Sequence, residues 1–420
     1  MSTFALISVV VTLAAIFALA SHRWMRLPPT IGTMILSVAS ATLLSVLGKE
    51  IPSLQRFAVS IFSLLDFNAI VLHGLLAFLL FAGALHLDLD QLRRQRLPVL
   101  VLSTLGTILS AAFVAGLLWV VLAVCHLPAN ALTCVIFGAL ISPTDPIAVL
   151  EMLRRAGAPA HIQSLLGGES LFNDGVGAVL FLALLESSHS GSIPSLSSFA
   201  MLFVLEAGGG ICLGLLLGYV TYRLLLLSDN YTMEILLTLA LAMGGYALAD
   251  SLHISAPLEA VAAGLIVNSR GRARDMPALT HEDVDKFWHL VDDILNVVLF
   301  LLLGFALVLV PFSVRVVVAG LLAIPAVLLA RATSVALLLY PIQRPKQEFV
   351  NTWAVLTWGG LRGALAVALV LVLVRQPDAG PLLAITYTVV VFSVLVQGLT
   401  MVPLLRRLGL TRQDIMPTAP

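Results

Sequence analysis

The chain has 420 residues, 60% of them hydrophobic and 11% charged, with a formal net charge of zero. So little polar material cannot cover the surface of a soluble domain of this size, and no basic tract suits it to nucleic acid. Apolar runs of about 20 residues, each long enough to cross roughly 30 Å of hydrocarbon, recur from end to end and predict an all-α polytopic membrane protein.

Polar, proline and glycine breaks divide the chain into about thirteen predicted spans: 3–20, 27–47, 58–86, 98–125, 130–152, 161–186, 197–227, 231–250, 255–268, 286–310, 313–340, 350–375 and 380–405. The first run, Phe4 to Ala20, lacks a basic region before it and is followed by Arg23 and Arg26, so it reads as a retained helix and not a signal peptide. The ninth span is short. Cys125, Cys134 and Cys212 are too few and too scattered for a disulfide or metal framework.

The connections alternate in charge. One set holds Arg23, Arg26, Arg93, Arg94, Arg96, Arg154, Arg155, Arg223, Arg270, Arg272, Arg274, Arg344, Lys346, Arg406, Arg407 and Arg412; the other holds only Lys49, Arg56, Arg315 and Arg375. The richer set marks the cytoplasmic side, which places the N-terminus outside and the C-terminus inside a cell membrane. A wrong number of spans would scramble this alternation.

Few charges fall within the spans away from their ends, and the notable ones are Asp145, Glu169, Asp174, Arg331 and Arg362. An intramembrane charge costs at least a few kcal/mol and faces a partner or a water-filled cavity. A pair that only locks helices together would account for any one of them. Five in one chain, three between positions 145 and 174, point to a functional site.

In the fifth span, Ser142-Pro143-Thr144-Asp145-Pro146 interrupts an apolar run. Neither proline can donate a backbone hydrogen bond, which predicts a break, and non-helical backbone at membrane depth must be enclosed in protein or line a cavity. A kink serving packing alone is the alternative; the adjacent aspartate favours a site. In the sixth span Glu169 and Asn173 are four apart, as are Ser170 and Asp174, so the pairs stack on adjoining stripes of one helix face. Those oxygens, with Thr144 and Asp145, suit a small hard cation. Three glycines surround Arg362 in the twelfth span, which enters the membrane from the opposite side to the fifth, and the two together suggest inverted repeats with broken crossing helices. Glu169 lies eight residues past the inner start of its span and Arg331 nine before the inner end of its own. At roughly 12–14 Å from the cytoplasmic side, both share a depth at which they can pair.

The segments "SPTDPIAVL", "GESLFNDGVGAVLF", "LLARATSV" and "GGLRGALAVAL", with "HISAPLEAVAAGLIV" and "FWHLVDDILNVVLFLLLGFAL", resemble in order the signature segments of monovalent cation:proton antiporters of the NhaP/NHE (sodium/proton exchanger) type. That resemblance implies that Asp174 alternately carries a cation or a proton, that Asn173 hydrogen-bonds across to Thr144, and that Asp145 and Ser170 complete or support a sodium site with Asp174. It makes Glu169 and Arg331 a structural pair and Arg362 a support for the crossing helices. It further implies electroneutral one-for-one exchange, no cofactor, and a homodimer. In such a dimer residues 1–97 and 231–310 form a dimerisation scaffold, 98–187 and 313–406 a moving six-helix bundle, 197–227 a linking helix and 407–420 a short cytoplasmic tail. The short tail fits a bacterial-type protein.

Asp88 and Asp90 stand where some relatives carry an acid near the ion path, although solvated acids balancing Arg93 and Arg94 are the simpler reading. The same holds for Glu282, Asp283 and Asp285 before the tenth span, whereas Asp292 and Asp293 just inside it can line a cytoplasmic funnel. The histidines lie mainly near span ends, open either to pH sensing or to ordinary solvation. Sodium, lithium and potassium are not separable from these residues, so a potassium-preferring antiporter is the first alternative. A cation channel is the second. A proteolytic dyad of Asp145 and Asp174 is disfavoured by their Thr-Asp-Pro and Asn-Asp contexts.

Overall fold

The computed structural model describes residues 3–51, 69–128, 130–145, 147–190, 196–228, 230–271, 278–310, 313–343, 346–373 and 379–411. Pro146 and, from the loop-charge pattern, Arg56, Arg272, Arg274, Arg344, Arg375 and Arg412 lie outside them, as do the side chains of Lys49, Arg270, Glu282 and Lys346.

The described residues form helices and no strands. In chain order they are α1 (Thr3–Ala20), α2 (Pro29–Glu50), α3 (Leu76–Leu85), the short α4 (Leu89–Arg94), α5 (Arg96–Val101), α6 (Thr107–Val124), α7 (Ala131–Ile141), α8 (Ile147–Ala156) and α9 (Ala160–Ser190). There follow α10 (Leu196–Leu225), α11 (Tyr231–Ser251), α12 (Ala256–Gly271), α13 (Ala278–Phe305), α14 (Val314–Leu339), α15 (Lys346–Trp358), α16 (Ala364–Leu373), α17 (Ala379–Phe392) and α18 (Gly398–Arg407). Single π-helical turns precede α3, join α5 to α6, and join α17 to α18 over Ser393–Gln397.

Among the described residues nine helices are long and apolar enough to cross a membrane, and shorter apolar helices include Ala131–Ile141 and Ala364–Leu373. Burial sorts the long ones. In an 18-residue apolar stretch of α9, 83% of the residues are buried, against 17% in the corresponding stretches that include α1 and α10, so α9 is a hub enclosed by protein while α1 and α10 present apolar faces outward. Around α9, α7 packs on α6, α14 on α6 and α17, and α16 on α17. On its other side α12 packs closely on α10 and α3, and α13 lies along α2 and α3.

One boundary differs from the hydropathy reading for a physical reason. Helix α13 begins at Ala278, so Asp283 and Asp285 lie within its first turns and not in a loop before it. A helix that continues past the hydrocarbon into water keeps its hydrogen bonds but loses its apolar signal. The predicted spans 130–152 and 350–375 are each divided into two helices, α7 with α8 and α15 with α16.

Candidate ion site

The two interruptions face each other beside α9. Helix α7 stops at Ile141, where Ser142 Oγ turns back to donate to the Gly138 carbonyl at 2.7 Å and Pro143 has no N–H to offer. Four of the backbone groups released there have partners elsewhere in the fold, as enclosed backbone in a membrane requires. Thr144 N–H donates to Asn173 Oδ1 at 3.1 Å and Asp145 N–H to the Leu361 carbonyl at 2.8 Å. Arg362 Nη1 donates to the carbonyls of Ser142 and, at 2.9 Å, Pro143. The second interruption is held from the π-helical turn: Ser393 Oγ accepts from Arg362 N–H at 2.8 Å, and Gln397 Nε2 donates to the Trp358 carbonyl at 2.8 Å. One break therefore hydrogen-bonds directly to the other.

Two glycines are required by these close approaches. A methyl on Gly177 of α9 would overlap the Pro143 ring, and one on Gly363 would overlap the Asp145 carboxylate.

Asn173 connects the break to a buried ion pair. Its Nδ2 donates to Thr144 Oγ1 and to Glu169 Oε1, both at 2.8 Å. Glu169 in turn accepts from Arg331 Nη1 at 2.8 Å and Nη2 at 2.6 Å, a bidentate geometry, and Arg331 Nε donates to the Leu356 carbonyl at 3.3 Å. Thr144 Oγ1 and Ser170 Oγ share a hydrogen bond of 2.9 Å. Glu169, Asn173 and Thr144 are fully enclosed, while Arg331 and Arg362 are each 2% exposed. Asp174, one helical turn beyond Ser170, is 8% exposed and has Asp145 and Glu169 as its electrostatic neighbours.

A cavity of about 400 Å³ reaches this point, with Asp145, Asp174, Pro143 and Gly363 among its lining residues. Its lining also includes Arg154, Arg155, Asp292, Asp293 and His289. Hence Asp174 and Asp145 border an open space, whereas Glu169, Asn173, Thr144 and Ser170 form the network behind them. Asp88 and Asp90 do not line it. Asp88 Oδ1 caps α4 by accepting from Asp90 N–H and Gln91 N–H at 3.0 and 3.1 Å, and Asp90 lies 3.8 Å from Arg93 with both side chains exposed. His86 stacks on His289, ring centroids 3.5 Å apart.

Sequence reasoning missed Ser393, Gln397 and Asn296. A signal was present for the first two: they are polar, four apart and set in an apolar span, the spacing that singled out Ser170 and Asp174. Asn296, 3% exposed, hydrogen-bonds through Nδ2 to Asp292 Oδ1 at 3.0 Å; it was masked by the apolar residues around it.

Comparison with known proteins gives one consistent result. Residues 9–407 match the transmembrane sodium/hydrogen exchanger family. The Na(+)/H(+) antiporter NhaP of Pseudomonas aeruginosa is 41% identical over 408 residues, 96% of each chain, and the Na(+)/H(+) antiporter NhaH of Halobacillus dabanensis is 33% identical over 355 residues, 82% of this chain and 84% of that one. The solved structure of the sodium proton antiporter MjNhaP1 from Methanocaldococcus jannaschii superposes with a TM-score of 0.77 at 20% identity, covering 97% of this chain and 99% of that one, a likeness of fold.

Proposed function

The chain belongs to the sodium/hydrogen exchanger family, and we propose that it exchanges sodium for protons across the membrane, with cation and proton competing for Asp174. The observation that carries this reading is the position of Asp174: a buried carboxylate beside Asp145, bordering a cavity, at the point where two helix interruptions meet. Freed backbone and half-helix ends near the middle of the membrane are how secondary transporters build ion sites. In this reading Asp145, Ser170 and Asp174 supply oxygens to sodium, Thr144 and Asn173 hold the break in register, and Glu169 with Arg331 keeps α9 and α14 together.

The same competition gives obligatory coupling. A bare carboxylate crossing the apolar barrier carries the intramembrane penalty, whereas one neutralised by a cation or a proton does not. Residues 98–187 and 313–406 form the moving bundle, 1–97 and 231–310 the scaffold of a homodimer, and 197–227 the link between them. With the positive side inside, the end of the cavity that carries Arg154 and Arg155 faces the cytoplasm, the N-terminus lies outside and the C-terminal segment inside the cell membrane.

The test is a pH-gradient assay in proteoliposomes with sodium, lithium and potassium added in turn. Sodium is expected to dissipate an imposed gradient without a change in membrane potential. Dissipation by potassium alone would favour the potassium-preferring alternative. A current reversing at the cation's equilibrium potential would indicate a channel.

Gly363 offers a second test, because a methyl there would overlap Asp145. Gly363→Ala is expected to lower the exchange rate by about tenfold or more, since displacing a site group by about 1 Å can cost up to about a hundredfold. The protein should still purify as a folded species. Wild-type rates in this variant would remove Asp145 from the site.

A further inference from the structure

We propose that Asp292 and Asn296 of α13 form a second, transient cation site between the cytoplasm and Asp174, used from that side only. The assignment rests on the exchange reading above and adds a separate site to it. Asn296 is 3% exposed and lines the cavity, and its Oδ1 accepts no hydrogen bond among the described residues. Its Nδ2 is committed to Asp292 Oδ1 at 3.0 Å, which fixes the amide so that the oxygen is the atom left over. Burying an amide oxygen without a donor is costly. Beside a carboxylate, and bordering a cavity that leads to Asp145 and Asp174, such an oxygen is suited to a hard cation that keeps part of its water shell.

The surrounding charges allow it. Arg155 is engaged by Glu151 at 2.6 Å, and Glu151 also accepts from Thr30 Oγ1 at 3.4 Å. Asp293 is exposed next to Asp292, Arg154 and Asp145 lie within electrostatic reach of Asp292, and His289, one turn earlier on α13, lines the same cavity. Arg154 thus faces Asp145, Asp292 and Asp293 together, while Arg155 is occupied by Glu151.

Sidedness follows from where the residues sit. Asp292 and Asn296 belong to α13, packed on α2 and α3, whereas Asp174 belongs to α9. When the bundle carries Asp174 outward, the α13 pair stays behind. It therefore concentrates cations for loading from the cytoplasm and plays no part in loading from outside.

The experiment uses oriented membrane vesicles of both polarities, with sodium varied on one side at a time. Asp292→Asn is expected to raise the apparent KM for cytoplasmic sodium by about tenfold, the low end of what charge focusing in a cleft supplies, and Asn296→Leu, which changes no charge, is expected to raise it as well by removing the ligand oxygen. The external KM and the saturating rate should stay as in the wild type. A KM unchanged by Asn296→Leu, an equal shift on both sides, or a fall in saturating rate alone would each overturn the site. A binding arm is independent of transport: purified Asp174→Asn protein, titrated with sodium, should retain weak binding that Asn296→Leu removes. Loss of all binding in Asp174→Asn alone would contradict a second site. Absence of exchange in the wild type, by contrast, would strike the proposed function.

Discussion

Replacing Asp174 by asparagine is expected to reduce sodium-driven proton flux in proteoliposomes to the level of protein-free vesicles, while the protein elutes as a folded species in detergent. Asparagine is nearly isosteric, so the packing of α9 against Leu258 and Pro143 through Gly175 and Gly177 should survive. The amide can accept a cation's contact but cannot exchange a proton for it. Among the described residues, Asp174 is an enclosed carboxylate of the cavity wall with no guanidinium bound to it, whereas Glu169 is held at both oxygens by Arg331. Retained exchange in this variant would remove Asp174 from the mechanism. Loss of exchange together with loss of folded protein would require Asp174→Glu, in which the titrating group is kept and partial exchange should return.

The largest effect on stability is expected at Arg331. Removing one partner of a buried pair leaves the other charge uncompensated, at a cost of about 3–5 kcal/mol. Arg331→Met would strand the Glu169 carboxylate, 0% exposed, with Asn173 Nδ2 as its remaining donor. It would also leave the Leu356 carbonyl without the Arg331 donor, loosening α14 from α15. The expected outcome is a large fall in the detergent melting point and in the yield of folded protein. The double variant Glu169→Leu/Arg331→Met should recover a substantial part of both, because replacing a whole buried pair by apolar groups is far less costly than breaking it. If the single variant melts like the wild type, the pair does not lock these helices.

What the chain's sequence makes legible follows from what each signal measures. Hydropathy identifies segments that leave water, and it identified the polytopic helical class and the apolar parts of the long helices. It is blind to helix that continues into solvent, which is why the first turns of α13, with Asp283 and Asp285, read as a loop. Local composition marks where a membrane helix is under stress, as the prolines and aspartate do after Ile141 and the glycines do after Trp358. It does not say which distant side chain satisfies the freed backbone. Ser393 and Gln397 serve the second interruption from a π-helical turn in another helix, and only the three-dimensional arrangement identifies them. The hydrogen bond from Asp145 N–H to the Leu361 carbonyl likewise joins residues more than two hundred positions apart, with no periodicity to announce it.

Competition between cation and proton for one carboxylate is tested most directly by counting protons. Purified protein titrated with sodium in weakly buffered solution, across the pH range in which both ligands bind, should release close to one proton for each sodium bound at Asp174. The release should vanish in Asp174→Asn. Sodium binding with no proton release at any pH in that range would contradict the account.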